Sequence, residues 1–234
     1  MNKLIVVTGG TKGIGRAVLE RFASNGFDLA TCARKQADLN ALKSDLENKY
    51  KVKVFVQAGD MSDKNQVKGF TEFINKLNRP VDVLVNNSGN FIPGQILDEP
   101  DGTLEEMIAG NVYSAYYTTR GLAAKMKSNK SGHIFNMCSI ASIKAYPNGG
   151  SYAISKFALL GFSKVLREEL KEHSIRVTAV LPGATKTASW AGSTLPGSRF
   201  IKPEDVAEAI FSANSLSLNA VVEELIIRPQ LGDI

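Results

Sequence analysis

The sequence predicts an α/β fold in which a single doubly wound parallel sheet of seven strands has helices on both faces. Short apolar segments alternate with helical stretches along all 234 residues. The apolar segments are continuous and often β-branched, as is typical of parallel strands covered on both faces. Alternating βα units of this length favour right-handed crossovers within one sheet. We therefore expect residues 1–234 to form one domain.

The elements follow one another without a linker, a repeat or a low-complexity tract. The first predicted helix has an apolar stripe that includes Ile14 and Phe22, and it ends near Asn25-Gly26, a typical stop signal. A later helix begins near Ser151. The predicted strands are Leu4–Val7, Asp28–Cys32, Val52–Gln57, Val81–Asn86, His133–Met137, Arg176–Val180 and Val221–Ile227.

The net charge of +5 does not come from a basic stripe. Lysine and arginine are scattered, and the densest group (Lys125, Lys127 and Lys130) lies where a helix is expected to end, a position that the helix dipole favours for cations. The sequence therefore predicts no nucleic-acid partner. A mild positive excess suits a protein that binds a polyanionic cofactor.

Cysteine usage and hydropathy indicate the cytoplasm. Cys32 and Cys138 both fall in segments expected to be buried, which favours free thiols in a reducing compartment. The apolar run Leu4–Val7 is too short for a signal peptide, and no run approaches the ~20 residues of a membrane span. We expect no membrane partner.

A glycine-rich turn follows the first strand directly and opens the first helix. Glycines there permit a tight turn, close approach to a pyrophosphate and helix–strand packing, and the helix N-terminus offers free N–H groups to the anion. Taken alone, such a cluster is also compatible with a simple flexible turn. The predicted cofactor contacts in this turn are Thr8, Gly9, Thr11, Lys12, Gly13, Ile14 and Gly15.

The spacing Gly-x3-Gly-x-Gly, counted from Gly9, resembles the short-chain dehydrogenase/reductase family, whose members have a Rossmann fold. Cofactor choice is expected at the end of the second strand, where an NAD site normally has an acid. Ala33 stands there, and Arg34 follows. A guanidinium can bind a 2′-phosphate, and Lys12 can add a second positive contact. The sequence thus predicts NADP(H); alternatively, Arg34 only solvates the next helix.

Three further segments resemble the family's cofactor-binding segments. Asp60-Met61, after the third strand, is similar to the pair that contacts the adenine. Asn86-Asn87-Ser88-Gly89 is similar to the family's Asn-Asn-Ala-Gly, with Ser88 in place of alanine, which implies contacts from Asn87 and Gly89 near the ribose. After the sixth strand, the resemblance implies nicotinamide contacts from Pro182, Gly183, Thr185 and Thr187.

The strongest local signal is the pair Tyr152 and Lys156. Residues four apart share one helix face, so the phenol and the ammonium can point into one cleft. An ordinary amphipathic helix also explains such spacing when it stands alone. Here Ser139 lies thirteen residues upstream of Tyr152, and Asn111 opens a segment similar to the family's asparagine on the preceding long helix. Together these four match the family's catalytic set.

The expected chemistry is proton-coupled hydride transfer to a carbonyl. Tyr152 is predicted to donate the proton in reduction and accept it in oxidation, and Ser139 to donate a hydrogen bond to the carbonyl oxygen. An ammonium ~4 Å from the phenol contributes roughly 4 kcal/mol at an effective dielectric of 20, so Lys156 is expected to lower the phenol's pKa by up to ~3. The resemblance further implies that Lys156 holds the nicotinamide ribose and that Asn111 anchors a relay water.

Other chemistry-bearing residues carry weaker expectations. His133 and His173 are expected to be structural or exposed, and Cys138 is not expected to act as a nucleophile. Residues 184–200 resemble the family's substrate lid, in which Trp190 either lines the pocket or seals an interface or the core. The family's long fifth helix often forms a subunit interface, which implies a homodimer or a homotetramer. No metal site is predicted.

The sequence thus predicts an NADPH-dependent oxidoreductase acting reversibly on a small carbonyl or alcohol. Candidate substrates are 3-oxoacyl thioesters, 3-hydroxy acids, and small ketones or aldehydes. The C-terminal segment Val221–Ile234 differs from the glycine-rich tail of many 3-oxoacyl-[acyl-carrier-protein] reductases, which weakens that specific assignment. Three different functions are also compatible with the sequence: a non-catalytic NADP-sensing protein, an epimerase or dehydratase, and a basic nucleic-acid binder.

Overall fold

A computed structural model describes residues 1–190 and 192–234, and within them seven parallel strands form one sheet in the order β3-β2-β1-β4-β5-β6-β7. The strands β1 to β7 are Leu4–Thr8, Asp28–Ala33, Val54–Ala58, Val83–Asn86, Gly132–Met137, Ile175–Pro182 and Glu224–Ile227. The helices α1 to α7 are Gly13–Ala23, Gln36–Tyr50, Lys64–Lys76, Thr103–Ile108, Ser114–Asn129, Gly150–Leu170 and Pro203–Asn214. The predicted fold class is confirmed.

The strand order reverses direction between β1 and β4. In a doubly wound sheet, loops on the two sides of such a point diverge and leave a crevice at the carboxyl ends of the strands, where ligands bind. β1 pairs with β2 on one side and with β4 on the other. The glycine turn after β1 and the loop after β4 therefore meet at this crevice.

Three strands begin later than the sequence predicts. β3 begins at Val54, where side chains bind the backbone: the N–H of Lys53 donates to Asp28 and that of Val54 to Glu47. β4 begins at Val83 and β7 at Glu224. Hydrophobicity alone predicts the longer segments, and it carries no information about such side-chain competition.

Hydrophobic cores lie on both faces of the sheet, as the sequence predicts for buried parallel strands. On one face Phe22 packs edge-on against Phe27 and Phe211, with ring centroids 5.0 and 5.2 Å apart. On the other face, Phe70 and Leu122 belong to a second buried cluster. In the described part of the chain, no helix has the length and apolarity needed to cross a bilayer.

Candidate active site

The glycine turn is sterically restricted to glycine at several positions. Gly9 and Gly13 have φ of +72° and +53°, a region that L side chains rarely adopt. A Cβ on Gly15 would overlap the Gly9 carbonyl oxygen. Lys12, which precedes α1, makes no side-chain capping hydrogen bond. The first N–H groups of the helix therefore face the crevice without a side-chain acceptor from the N-cap residue. This cradle fits the pyrophosphate of a dinucleotide.

Two of the predicted cofactor residues, Thr8 and Asn87, brace the turn from behind. The Thr8 hydroxyl accepts from the backbone N–H groups of Asn87 and Ser88 at 3.0 and 2.9 Å. The Asn87 amide donates to the carbonyls of Thr8 and Gly9 at 2.9 and 3.0 Å. These bonds tie the end of β1 to the end of β4.

The predicted selectivity residue Arg34 is exposed directly after β2. Asp60 lies at the same edge of the sheet: hydrogen bonds from the Ser62 backbone and hydroxyl lower the pKa of Asp60, and the charge of Arg34 lowers it further. Met61 is buried in the core below. Arg34 therefore presents a cation next to Ala33, which stands where an NAD site would have an acid.

The predicted pair on α6 is brought together. The Lys156 Nζ lies 5.6 Å from the centre of the Tyr152 ring. It donates a hydrogen bond to the Met137 carbonyl at the end of β5, at 2.9 Å. The ammonium is buried, and burial lowers the pKa of Lys156 to about 8. A buried, hydrogen-bonded cation at the carboxyl edge of the sheet is a perturbed group of the kind found at catalytic sites.

Ser139 lies beside the phenol, directly after β5. Its oxygen accepts from the Ala141 N–H at 3.1 Å, which leaves its O–H free to donate. Burial raises the pKa of Tyr152, and a hydrogen bond with Ser139 opposes this rise. The expectation that Lys156 lowers the pKa of Tyr152 below its ordinary value is therefore wrong for the protein alone, because the hydration that the phenolate loses on burial outweighs the hydrogen bond with Ser139.

Asn111 lies in a π-helical turn, Ala109–Tyr113, between α4 and α5. Its amide donates to Ser155 Oγ at 2.9 Å and to the Asn90 carbonyl at 3.1 Å, and its oxygen accepts from the Asn90 N–H at 3.0 Å. Ser155 in turn donates to the Tyr152 carbonyl at 2.7 Å. Both polar atoms of the side chain are thus engaged with protein groups, and the relay water at Asn111 stays a prediction.

The predicted lid begins where β6 ends. The base of this segment is closed by Lys186 N–H donating to the Ile201 carbonyl at 2.8 Å. Thr187 reaches back to the glycine turn: a Cβ on Gly13 would lie 3.2 Å from its methyl group. The Trp190 ring packs edge-on against Phe200, with centroids 5.3 Å apart, which supports its role in packing rather than in lining a pocket.

The remaining predicted residues lie at the same edge of the sheet. Pro182 ends β6, and Gly183 N–H donates to the Ile227 carbonyl at 2.7 Å. The Thr185 hydroxyl donates back to the Gly183 carbonyl at 3.0 Å. Gly89 lies between catalytic candidates, since a Cβ on it would overlap Asn111 Oδ1 and lie 3.7 Å from Lys156 Nζ. Thr11 and Ile14 lie in the glycine turn itself.

The structure adds residues that the sequence did not identify. The loop between β4 and α4 places the Phe91 ring edge-on against Tyr152, with centroids 4.8 Å apart, and the Glu99 carboxylate against Ser151. A cleft of about 520 Å³ opens beside α6; its lining includes Ile96, Leu97, Tyr146, Ile154 and Phe157. This loop has no regular apolar pattern. Its position directly after Gly89 is therefore the only sequence feature that places it at the site.

The family is decided by a match over most of the chain. The model of the short chain dehydrogenase family matches residues 3–195. The chain belongs to the short-chain dehydrogenase family. As a member of this family it is an oxidoreductase, as the sequence predicts.

Named relatives of this short-chain dehydrogenase are similar over nearly their whole length. A sepiapterin reductase of Chlorobaculum tepidum is 31% identical over 242 residues, covering 100% of this chain and 99% of the relative. A 3α-hydroxysteroid dehydrogenase of Mediterraneibacter gnavus is 32% identical over 228 residues, covering 92% and 91%.

Solved structures agree with the fold. An alcohol dehydrogenase from the archaeon Thermococcus sibiricus, complexed with 5-hydroxy-NADP, matches with a TM-score of 0.91 at 27% identity, covering 98% of this short-chain dehydrogenase and 97% of that chain. Other similar structures hold NADP or NADPH.

Proposed function

We propose that this protein is an NADPH-dependent carbonyl reductase, reversible as an alcohol dehydrogenase, in which Tyr152 is the general acid and base. The observation that carries the proposal is the buried Lys156 ammonium beside the Tyr152 ring, with the Ser139 hydroxyl group next to the phenol. The three groups lie at the carboxyl edge of the sheet, on the same edge as the glycine turn.

Each proposed residue has its own role in the reaction. Bound NADPH would supply the hydride. Tyr152, neutral because burial raises its pKa, donates a proton to the carbonyl oxygen. Ser139 donates a hydrogen bond to the same oxygen and stabilises the charge that develops on it. Lys156 lies close enough to stabilise a phenolate on Tyr152 once the proton has left. Asn111 holds Ser155, and through it the turn that carries Tyr152.

The test is a carbonyl panel followed at the NADPH absorbance band, run with wild-type protein and with Tyr152→Phe. We expect wild type to oxidise NADPH with at least one carbonyl. Tyr152→Phe keeps the ring and loses the proton donor, so turnover should fall by at least ~100-fold while NADPH binding stays within about twofold. Undiminished turnover in Tyr152→Phe would refute the mechanism. NADPH binding without turnover in wild type would instead favour a non-catalytic NADP-sensing protein.

The proposed preference for NADPH over NADH rests on Arg34. Its exposed guanidinium, with Ala33 in place of an acid, suits a 2′-phosphate. Arg34→Ala should raise the Michaelis constant for NADPH by roughly 10- to 100-fold, since a charge-assisted hydrogen bond contributes ~1.5–3 kcal/mol. The constant for NADH should change little. Lys35→Ala, at the next exposed position, is the control. If Arg34→Ala raised the Michaelis constants for NADPH and NADH equally, Arg34 would not be the residue that selects NADPH.

For the substrate we propose a small carbonyl compound or alcohol with an apolar portion. The cleft beside α6 is lined mainly by apolar side chains, among them Ile96 and Phe157. The names of the relatives, a sepiapterin reductase and a hydroxysteroid dehydrogenase, are compatible with such a class. The second candidate is a 3-oxoacyl-[acyl-carrier-protein] substrate, and including a 3-oxoacyl thioester in the panel separates the two.

We also propose that the enzyme is a homodimer or homotetramer through the outward face of α6. Val165 on this helix is 59% exposed, and Gly161 and Ala158, one and two turns before it, are exposed as well. Apolar side chains clustered on one open helix face are typical of subunit interfaces. For location we propose the cytoplasm, because Cys32 and Cys138 are both buried free thiols.

A further inference from the structure

A carboxylate from the loop between β4 and α4 lies against the first turn of α6. Glu99 accepts from the backbone N–H of Ser151, which is 3.0 and 3.3 Å from its two oxygens, and from the Ser151 hydroxyl. Ser151 is buried and directly precedes Tyr152. A helix N-terminus is partially positive, so a carboxylate there stabilises the turn. The loop is thereby attached to the residue next to the proposed proton donor.

The backbone around this contact is packed too closely for larger residues. Gly150 has a φ of +29°, and a Cβ on it would overlap the Glu99 carboxylate. A Cβ on Gly94 would lie 2.7 Å from Glu99 Cγ. Gly94 N–H also donates to the Asn148 carbonyl at 3.1 Å, a second link between the loop and the segment before α6. Glu99 is therefore held in place from both sides.

The same loop contacts the phenol ring itself. Phe91 meets the Tyr152 ring edge-on, with centroids 4.8 Å apart and an interplanar angle of 79°. Edge-to-face contacts of this kind restrict how an aromatic ring turns. Phe91 thus acts on the ring of Tyr152, whereas Glu99 acts on the backbone that carries it.

We propose that Glu99 is a positioning residue for Tyr152, fixing the first turn of α6 and with it the direction of the phenol. This inference rests on the proposed function, in which that phenol supplies the proton. A misplacement of ~1 Å can cost about 100-fold in rate. Loss of the carboxylate should therefore lower kcat. Binding of NADPH should be unaffected, because the glycine turn and Arg34 lie on other elements.

The experiment compares Glu99→Gln with Asp98→Asn, a control that removes the same charge at the adjacent exposed position. For Glu99→Gln we expect kcat for carbonyl reduction to fall about tenfold or more, with the NADPH dissociation constant within twofold of wild type. Asp98→Asn should behave as wild type. Equal kcat values for wild type and Glu99→Gln would overturn the proposal.

A milder variant tests the same contact if Glu99→Gln yields no folded protein. Ser151→Ala removes the hydroxyl and keeps the backbone donor, so it should lower kcat by a smaller factor with NADPH binding unchanged. Where both variants fold, adding Glu99→Gln to Ser151→Ala should lower kcat by a smaller factor than adding it to wild type. The reason is that the two changes remove one shared contact. Fully additive effects count against the proposal.

A spectroscopic readout separates this inference from the proposed function. In protein labelled at tyrosine Cζ with ¹³C, the Tyr152 resonance is identified by its loss in Tyr152→Phe. Glu99→Gln should shift that resonance and Asp98→Asn should not. If wild type turns over no carbonyl with NADPH, the proposed function fails. If the Tyr152 resonance does not move in Glu99→Gln, the positioning role of Glu99 fails, whatever the activity.

Discussion

Tyr152 and Lys156 are shifted in opposite directions by the same physical cause. Burial disfavours whichever form of a group is charged, so it raises the pKa of the Tyr152 phenol and lowers that of the Lys156 ammonium to about 8. Near neutral pH the protein alone therefore holds a neutral phenol beside an ammonium. This is the protonation state that proton donation to a carbonyl requires.

The lowered pKa of Lys156 predicts how the reaction depends on pH. If reduction needs the ammonium, activity is lost as pH rises through about 8 rather than through the ordinary value of 10.5. We expect kcat/KM for NADPH, which reports groups of the free enzyme, to fall about tenfold per pH unit above this point. Stopped-flow or steady-state rates between pH 6 and 10 measure it.

A matched variant checks the assignment to Lys156. Arginine keeps its charge across this range, so any residual activity of Lys156→Arg should show no decline near pH 8. A wild-type profile that is level to pH 9.5 would show that the charge on Lys156 is not needed.

The sequence predicts that the histidines are structural or exposed, and for His133 the structure shows a structural role. Its Nε2 is 2.8 Å from Thr178 Oγ1, its ring stacks on Phe135, and burial together with the charge of Arg176 lowers its pKa to about 3. Cys138 is similarly unsuited to nucleophilic chemistry, since burial raises the pKa of its thiol to about 11.

At the scale of elements, the glycine turn with α1 could be predicted and the π-helical turn at Asn111 could not. The glycine spacing reports a steric requirement that holds wherever a backbone must pass close to a phosphate. The turn Ala109–Tyr113 depends on which partners the buried Asn111 amide finds, namely Ser155 and Asn90. Those partners come from distant parts of the chain, so no local pattern indicates them.

The steric restriction of the glycine turn can be tested with one added methyl group. In Gly15→Ala the added methyl group would overlap the Gly9 carbonyl and press on the Asn87 amide, which braces the turn. We expect the NADPH dissociation constant to rise at least ~10-fold and the melting temperature to fall by several degrees, as an overpacked site costs roughly 1–3 kcal/mol.

The control for this prediction is Gly69→Ala on α3. Its added Cβ would make only an ordinary contact, 3.6 Å from Gln57 Nε2. A helical position of this kind should tolerate or gain from alanine. NADPH binding measured by fluorescence, with thermal unfolding in parallel, decides the matter; binding by Gly15→Ala as tight as by Gly69→Ala would contradict the role of the turn.

For the molecule as a whole, the sheet topology explains why residues far apart in sequence meet. Gly9, Asn87, Ser139 and Thr185 follow β1, β4, β5 and β6, which are neighbours in the sheet, and parallel strands bring all their carboxyl ends to one edge. Motif order and strand position therefore sufficed to predict this half of the site. The contacts of the loop after Gly89 depend on its irregular path, which strand order does not specify.

The outward face of α6 leads to the prediction for the assembled molecule. Val165 is 59% exposed in the single chain, on the same face of α6 as the exposed Ala158 and Gly161. If this face joins two copies, Val165→Glu buries a charge in the interface and should convert the dimer or tetramer into a smaller species. Ala41→Glu, at an exposed position of α2, adds the same charge elsewhere and should leave the mass unchanged. Light scattering after size exclusion, at ~10 µM protein, gives the mass of each variant, and a wild type with the mass of one chain would exclude the interface. Because α6 also carries Tyr152 and Lys156, a dissociated Val165→Glu should lose part of its kcat and keep its NADPH affinity, since the glycine turn lies on another helix.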